Sequence, residues 1–156
     1  MSDVVFEGCR ALEMTREVAE DVHRVMQAAY RVEADLLGVG DFVPLHRTVE
    51  DLLRADSVFL GLFLEGRLAA VAELEQPPGT PRNVAALVVL PSHFRRGLGT
   101  KLMRHVLEEH GEEPITVSTG VRNLPALALY ARLGFREQRR WSVEGIPMVT
   151  LLRPGG

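Results

Sequence analysis

Residues 84–103 read VAALVVLPSHFRRGLGTKLM, an apolar run that ends in proline and passes through two arginines and two glycines into an amphipathic stretch. This pattern is a buried strand handing over to a helix. The first turn of such a helix presents N–H groups without partners and the positive end of the helix dipole. Glycine lets an anion approach that backbone with no Cβ in the way, so a strand–glycine turn–helix can cradle a phosphate. Arg95, Arg96 and Lys101 add charge that complements one. Taken alone, Gly97 and Gly99 serve a tight turn equally well.

The rest of the chain alternates strand and helix signals without repeats. VVFEGCRAL (4–12) reads as a first strand. From Thr15, Val18, Val22, Val25, Met26, Ala29 and Val32 recur at helical spacing, which predicts a helix to about Leu37. GVGDFVPL is a loop, and Thr48 with Asp51 at N3 opens a short helix around Glu50 to Arg54. SVFLGLFL, the two-residue turn EG and RLAAVAELE form a hairpin. NVAALVVL is a buried strand, residues 97–110 form a helix, and Gly111 ends it as a C′ glycine. PITVST is a further strand, Asn123 caps a helix with Pro125 in its first turn, and Gly134 ends that helix. REQRRWSVE and MVTLL close a β-α-α-β-β-β-α-β-α-β-β order, an α+β fold with a mixed sheet. Because neither half closes a core alone, residues 1–156 are expected to form a single domain.

Composition excludes several classes of function. The net charge of −3 argues against a nucleic-acid partner. Cys9 is the one cysteine, so no internal disulfide forms, and a reducing cytoplasm is the expected location. The N-terminus carries acids where a signal peptide has basic residues, and the apolar runs are too short to span a membrane. The five histidines lack metal spacing, so no metal is expected.

Two phosphate motifs fail. A Walker loop needs Gly-Lys-Ser/Thr after four spacers, whereas the order here is Gly-Leu-Gly-Thr-Lys. A dinucleotide fingerprint needs a third glycine where the chain has Leu102. VAALVVLPSHFRRGLGTKLM followed by VSTGVRNLPALALYARLGF instead resembles the GNAT superfamily of acyl-CoA-dependent N-acyltransferases. That family's first signature, Gln/Arg-x-x-Gly-x-Gly/Ala, is met by Gly97 and Gly99, with Phe94 in the Gln/Arg position. The second is complete as Asn123, Ala126, Tyr130, Gly134 and Phe135. The match covers roughly residues 84 to 135, about a third of the chain.

The resemblance implies a mostly antiparallel central sheet flanked by helices, the acyl-CoA N-acyltransferase fold, with strands four and five splayed around a pantetheine arm. The backbone of Val88, Val89 and Leu90 would pair with that arm. The pyrophosphate of acetyl-CoA, the co-substrate, would rest on the amides of Arg95, Arg96, Gly97, Leu98, Gly99 and Thr100. Asn123 and Tyr130 would line the other wall near the thioester. Without the resemblance, Asn123 is a helix cap and Tyr130 a packed helix residue. The implied reaction is direct attack of a primary amine on acetyl-CoA, with Tyr130 as the acid that protonates the leaving thiolate. Strand four has no carboxylate, so Glu73 or Glu75 on the preceding strand is the candidate base, with His46 a weaker one. Asp35 and Asp41 would suit a cationic acceptor, a small molecule or a peptide, and a homodimer stays open. The alternative is a non-catalytic acyl-CoA sensor that kept the cradle and lost the chemistry.

Overall fold

The computed structural model describes residues 8–156, which form one seven-stranded sheet of order β1-β2-β3-β4-β5-β7-β6. The elements in chain order are β1 (Gly8–Ala11), α1 (Arg16–Leu37), α2 (Val49–Arg54), β2 (Val58–Leu64), β3 (Arg67–Glu75), β4 (Arg82–Val89), α3 (Leu98–His110), β5 (Ile115–Gly120), α4 (Leu124–Arg132), β6 (Arg136–Val143) and β7 (Ile146–Arg153). The β4–β5 pair is parallel and its neighbours are antiparallel, which is the mixed, mostly antiparallel sheet expected. Residues 4–7 of the expected first strand lie outside the described residues.

Local chemistry explains the boundaries. The Thr15 hydroxyl accepts from the Val18 N–H and caps α1. Thr48 and Asp51 exchange hydrogen bonds in a full capping box at α2. Glu65 and Gly66 both have positive φ (53° and 76°), as do Glu144 and Gly145 (49° and 78°). Both hairpins therefore close through two left-handed residues, whose twist matches that of the strands they join. One end differs from expectation. Gly111 is right-handed (φ −68°), because its N–H continues the helical pattern to the Leu107 carbonyl, and the Arg153 guanidinium donates to its own C=O. The left-handed glycine cap is found instead at Gly38, after α1.

Helices cover both faces of the sheet. Ala19, Val22, Val25 and Met26 of α1 pack with Leu52 of α2 against Val71 and Val88. On the opposite face Leu98, Leu102, Met103 and Val106 of α3 meet Leu60, Leu62, Ala70 and Ala72. The central β3 is buried from Leu68 to Leu74, so its sequence is continuously apolar apart from Glu73 and does not alternate. β6, at the far edge, is almost wholly exposed.

Leu102 is completely buried beneath α3. Leu102→Ala is expected to cost about 2–5 kcal/mol, the range for a core leucine whose cavity relaxes only in part. Urea unfolding followed by circular dichroism measures it.

Candidate active site

The sheet parts at one residue. Along β3, Glu73 faces Ala86 and Leu74 faces Val84, so Ala85 is the extra residue of a β-bulge in β4. Pairing of β4 with β5 runs through Arg82↔Ile115, Asn83↔Thr116 and Val84↔Val117 and ends there, at the bulge. Beyond it β4 continues to Val89 bonded to β3, and β5 continues to Gly120 bonded to β7. The strands splay, as the sequence resemblance implied. The Leu90 N–H donates to Ala69 on β3. Backbone groups alternate sides along a strand, so those of Leu87 and Val89 face the cleft while those of Val88 and Leu90 face β3. Of the three expected backbone partners, Val89 is therefore the one aimed at the gap.

At one end of the cleft lies the glycine turn. Arg95 and Gly97 both adopt left-handed φ (67° and 73°), strained for arginine and free for glycine. Such turns gather successive N–H groups into an anion-binding concavity. Gly97 is also the N-cap of α3, which has no side-chain cap, whereas α1, α2 and α4 are capped by Thr15, Thr48 and Asn123. The amides of α3's first turn are left for another acceptor. Gly99 serves a different purpose: a Cβ there would lie 3.0 Å from Leu129 Cδ1, so its absence lets α3 pack against α4. Arg95, Arg96 and Phe94 are exposed at the rim, Leu98 is buried and Thr100 half-buried.

The other end is a cavity of about 230 Å³ between the parted strands, roofed by α1, the start of α4 and the β6–β7 hairpin. Tyr130 lines it, buried and edge-on to Phe135 with ring centroids 5.5 Å apart. Burial pushes its phenol well above the usual value of 10, and the nearby Glu33 and Tyr30 add to this, so it stays neutral and able to donate. Asn123 also lines the cavity. Its Oδ1 accepts from the Ala126 N–H at 3.3 Å, capping α4, and its side chain lies near enough to Glu33 to oppose the rise that burial gives that carboxyl.

The carboxylates singled out from the sequence lie elsewhere. Neither Glu73 nor Glu75 is among the cavity-lining residues. Glu73 is buried, but both its oxygens are taken by the Arg47 guanidinium at 2.6 and 2.8 Å, with the Ser57 hydroxyl donating to the second. Burial pushes its pKa up, and those hydrogen bonds and the Arg47 charge outweigh burial and hold it below the carboxylate range. Glu75 is exposed and accepts from Asn83 at 2.9 Å. His46 and Asp41 pair with each other at 2.6 Å on the surface, and Asp35 is exposed. Cys9 sits on β1 with its thiol raised, chiefly by burial, so it is a poor nucleophile. Among the described residues no group of three or more His, Cys, Asp or Glu could hold a metal, and no helix is long and apolar enough to cross a membrane.

Glu33 is the cavity residue that the sequence reading passed over. Its signal was present: Val22, Met26, Ala29 and Leu37 are buried along one stripe of α1, and residue 33 continues that spacing with an acid.

Comparison with known proteins agrees with this architecture. Residues 16–135 match the acetyltransferase (GNAT) family. The UPF0157 protein YqkA of Bacillus subtilis is 30% identical over 121 residues, 77% of this chain, which spans about a third (35%) of that relative's length. The ribosomal-protein-S18-alanine N-acetyltransferase of Escherichia coli superposes with a TM-score of 0.75 at 18% identity, over 96% of this chain and 94% of its own. The PaiA N-acetyltransferase of Thermoplasma acidophilum, solved in complex with coenzyme A, gives 0.72 at 15% identity, over 94% and 98%.

Glu73 and Arg47 form a structural pair, which yields a stability prediction. Arg47→Ala strands a buried carboxylate and is expected to cost about 3 kcal/mol, near the lower end for a broken buried pair because Arg47 is partly exposed. Glu73's folded pKa is depressed, so the pair's stabilisation is present above the ordinary glutamate value of about 4.3 and fades as pH falls through the lower folded value. Unfolding free energies of wild type and Arg47→Ala, measured from pH 7 down to pH 3, should converge at the acid end.

Proposed function

The chain belongs to the acetyltransferase (GNAT) family, and on that premise we propose that it transfers an acetyl group from acetyl-CoA to a primary amine by direct attack in a ternary complex. The observation that carries this reading is the parting of β4 from β5. Beyond Val84↔Val117 the backbone of Leu87 and Val89 turns away from β3 on the strand that leads to the uncapped start of α3, and Tyr130 lines the cavity that opens where the strands part.

Each part of the cleft suits one part of the donor. The pyrophosphate takes the amides of residues 95–100, with Arg95 and Arg96 adding charge at the rim, while Lys101 lies beside Cys9 toward the β1 edge. The amide groups of the pantetheine arm pair with the open side of β4 as an added strand would. Burial of the strand's carbonyls and N–H groups without partners would be costly, so a ligand with amides of its own is the natural occupant. Acetyl-CoA offers both phosphates and amides in that order. The coenzyme A held by the PaiA enzyme supports the same assignment for a shared fold.

The chemistry has three requirements. The amine must reach the thioester carbonyl deprotonated. The charge that develops on the carbonyl oxygen needs a fixed donor, and the cleft-facing N–H of Leu87 or Val89 can supply it. The departing sulfur needs a proton or hydrogen bond. Burial keeps the Tyr130 phenol neutral, and because its raised pKa lies above a thiol's reference value of about 8.5, it serves the sulfur first as a hydrogen-bond donor, with full transfer coupled to return of a proton to its oxygen. Asn123 holds the wall opposite β4 in place.

Two substitutions test this reading. Gly97→Val forces a β-branched residue into φ 73°, although a Cβ there meets no protein atom within 4 Å. Acetyl-CoA affinity, measured by calorimetry, should drop by at least about tenfold, or about 1.4 kcal/mol. Gly97→Asn, which tolerates left-handed φ, should lose less; equal affinity in a folded Gly97→Val protein contradicts the cradle. Tyr130→Phe keeps the packing on Phe135 and removes only the hydroxyl. Affinity for acetyl-CoA should stay within about threefold while the chemical rate falls roughly 10²-fold or more. Wild-type turnover in single-turnover assays would reduce Tyr130 to a core residue.

A further inference from the structure

We infer that Glu33 receives the acceptor: its carboxylate is the counter-ion of a primary alkylammonium group in the cavity and the base that removes its proton. The inference rests on the acetyl-transfer reading of the cleft and assigns to it both the base and the class of acceptor.

Glu33 is half-buried, continues the spacing of α1's buried stripe one turn beyond Ala29, and lines the cavity. The walls facing it are largely apolar, from Leu37, Phe42, Val117, Ile146 and Met148. A carboxylate in such a hollow needs polar partners. Asn123 supplies one. With its Oδ1 spent on the Ala126 N–H, its amide group is the part that faces Glu33, and it opposes the rise in that carboxyl's pKa caused by burial. Glu33 and Tyr130 line the same cavity, and the carboxylate keeps lone pairs for a cation entering it.

The surrounding charges favour a cation. Glu144, on the β6–β7 turn, lines the same cavity. Tyr30 on α1 and Tyr130 on α4 are neutral phenols with raised pKa values. Glu73 near Tyr30 is already neutralised by Arg47, and Arg122 before α4 is turned to the Leu37 carbonyl at 3.3 Å. An alkyl stem matches the apolar walls and an ammonium head matches Glu33. Burial raises the Glu33 carboxyl, with Asn123 opposing, which makes it a better proton acceptor than an ordinary surface glutamate.

Glu33 takes one proton from the ammonium, and the freed nitrogen lone pair forms the C–N bond to the thioester carbonyl carbon. The C–S bond breaks, and sulfur keeps its electron pair and gains the Tyr130 proton. The surplus proton on nitrogen returns to the Tyr130 oxygen, leaving a neutral amide and a thiol. The proton on Glu33 passes to water, so one proton is released per acetyl group transferred.

Binding of n-pentylamine and of the neutral n-pentanol to the coenzyme A-loaded protein, measured by calorimetry at pH 7.5, tests the counter-ion. Wild type should bind pentylamine at least about tenfold more tightly than pentanol, and Glu33→Gln should abolish that preference while keeping acetyl-CoA affinity within about threefold. With acetyl-CoA and pentylamine, kcat/KM of Glu33→Gln should fall roughly 10²-fold or more and lose the acid limb of its pH profile, with Glu33→Asp recovering part of the rate. Equal binding of the amine and the alcohol by wild type, or no binding of pentylamine at millimolar concentration, overturns the inference without recourse to a variant. So does a Glu33→Gln enzyme with the wild-type pH profile, in which case acetyl transfer stands and only the base is wrong. Failure of wild type to bind acetyl-CoA removes the reading on which the inference rests.

Discussion

The parting of β4 from β5 at Ala85 is the constraint on which the site depends. A parallel pair stays together while each strand presents its backbone groups to the other. One extra residue in β4 turns the strand, and pairing stops at Val84↔Val117. The backbone groups released there cannot stay buried without partners, at a cost of about 1–3 kcal/mol for each one left unsatisfied. On the acetyl-transfer reading proposed above, an amide-bearing ligand in the gap would satisfy them. The bulge is supported from behind by β3, which pairs along β4 on both sides of Ala85 and is itself packed between helices on both faces.

The cleft so formed is electrically polarised. Its α3 end gathers unpartnered amides, the helix dipole and the charges of Arg95 and Arg96. Its α1 end carries the carboxylates of Glu33 and Glu144 among apolar walls. A donor that brings phosphates to one end and an acceptor that brings an ammonium to the other would meet at the Tyr130 hydroxyl. Glu73, though buried and charged, is excluded from this field by its bidentate pairing with Arg47.

Much of this was legible in the sequence, and the failures have physical causes. Helices announced themselves through periodicity and caps, so Thr15, Thr48 and Asn123 fall where expected. The two hairpins followed from Glu-Gly turns. Asn123, Tyr130 and the glycine turn were found through a motif; the first two line the cavity between the parted strands, and the turn opens α3 after β4. The bulge was not legible, because VAALVVL is apolar throughout and offers no change of pattern at Ala85. The choice of Glu73 and Glu75 rested on strand alternation alone, and alternation cannot reveal that Arg47 reaches across from a loop. Glu33 escaped notice because α1 is rich in exposed acids, and only its place on the buried stripe sets it apart. Gly111 shows that a glycine after a helix need not be left-handed when a distant arginine satisfies its carbonyl.

A crystal structure with bound acetyl-CoA tests the central claim most directly. The expected result has the pyrophosphate on the amides of residues 95–100, the pantetheine amides paired with the backbone of Val89 and Leu87, and the thioester sulfur within hydrogen-bond reach of the Tyr130 hydroxyl. Closure of β4 onto β5, or a cofactor seated on another face of the sheet, would contradict it.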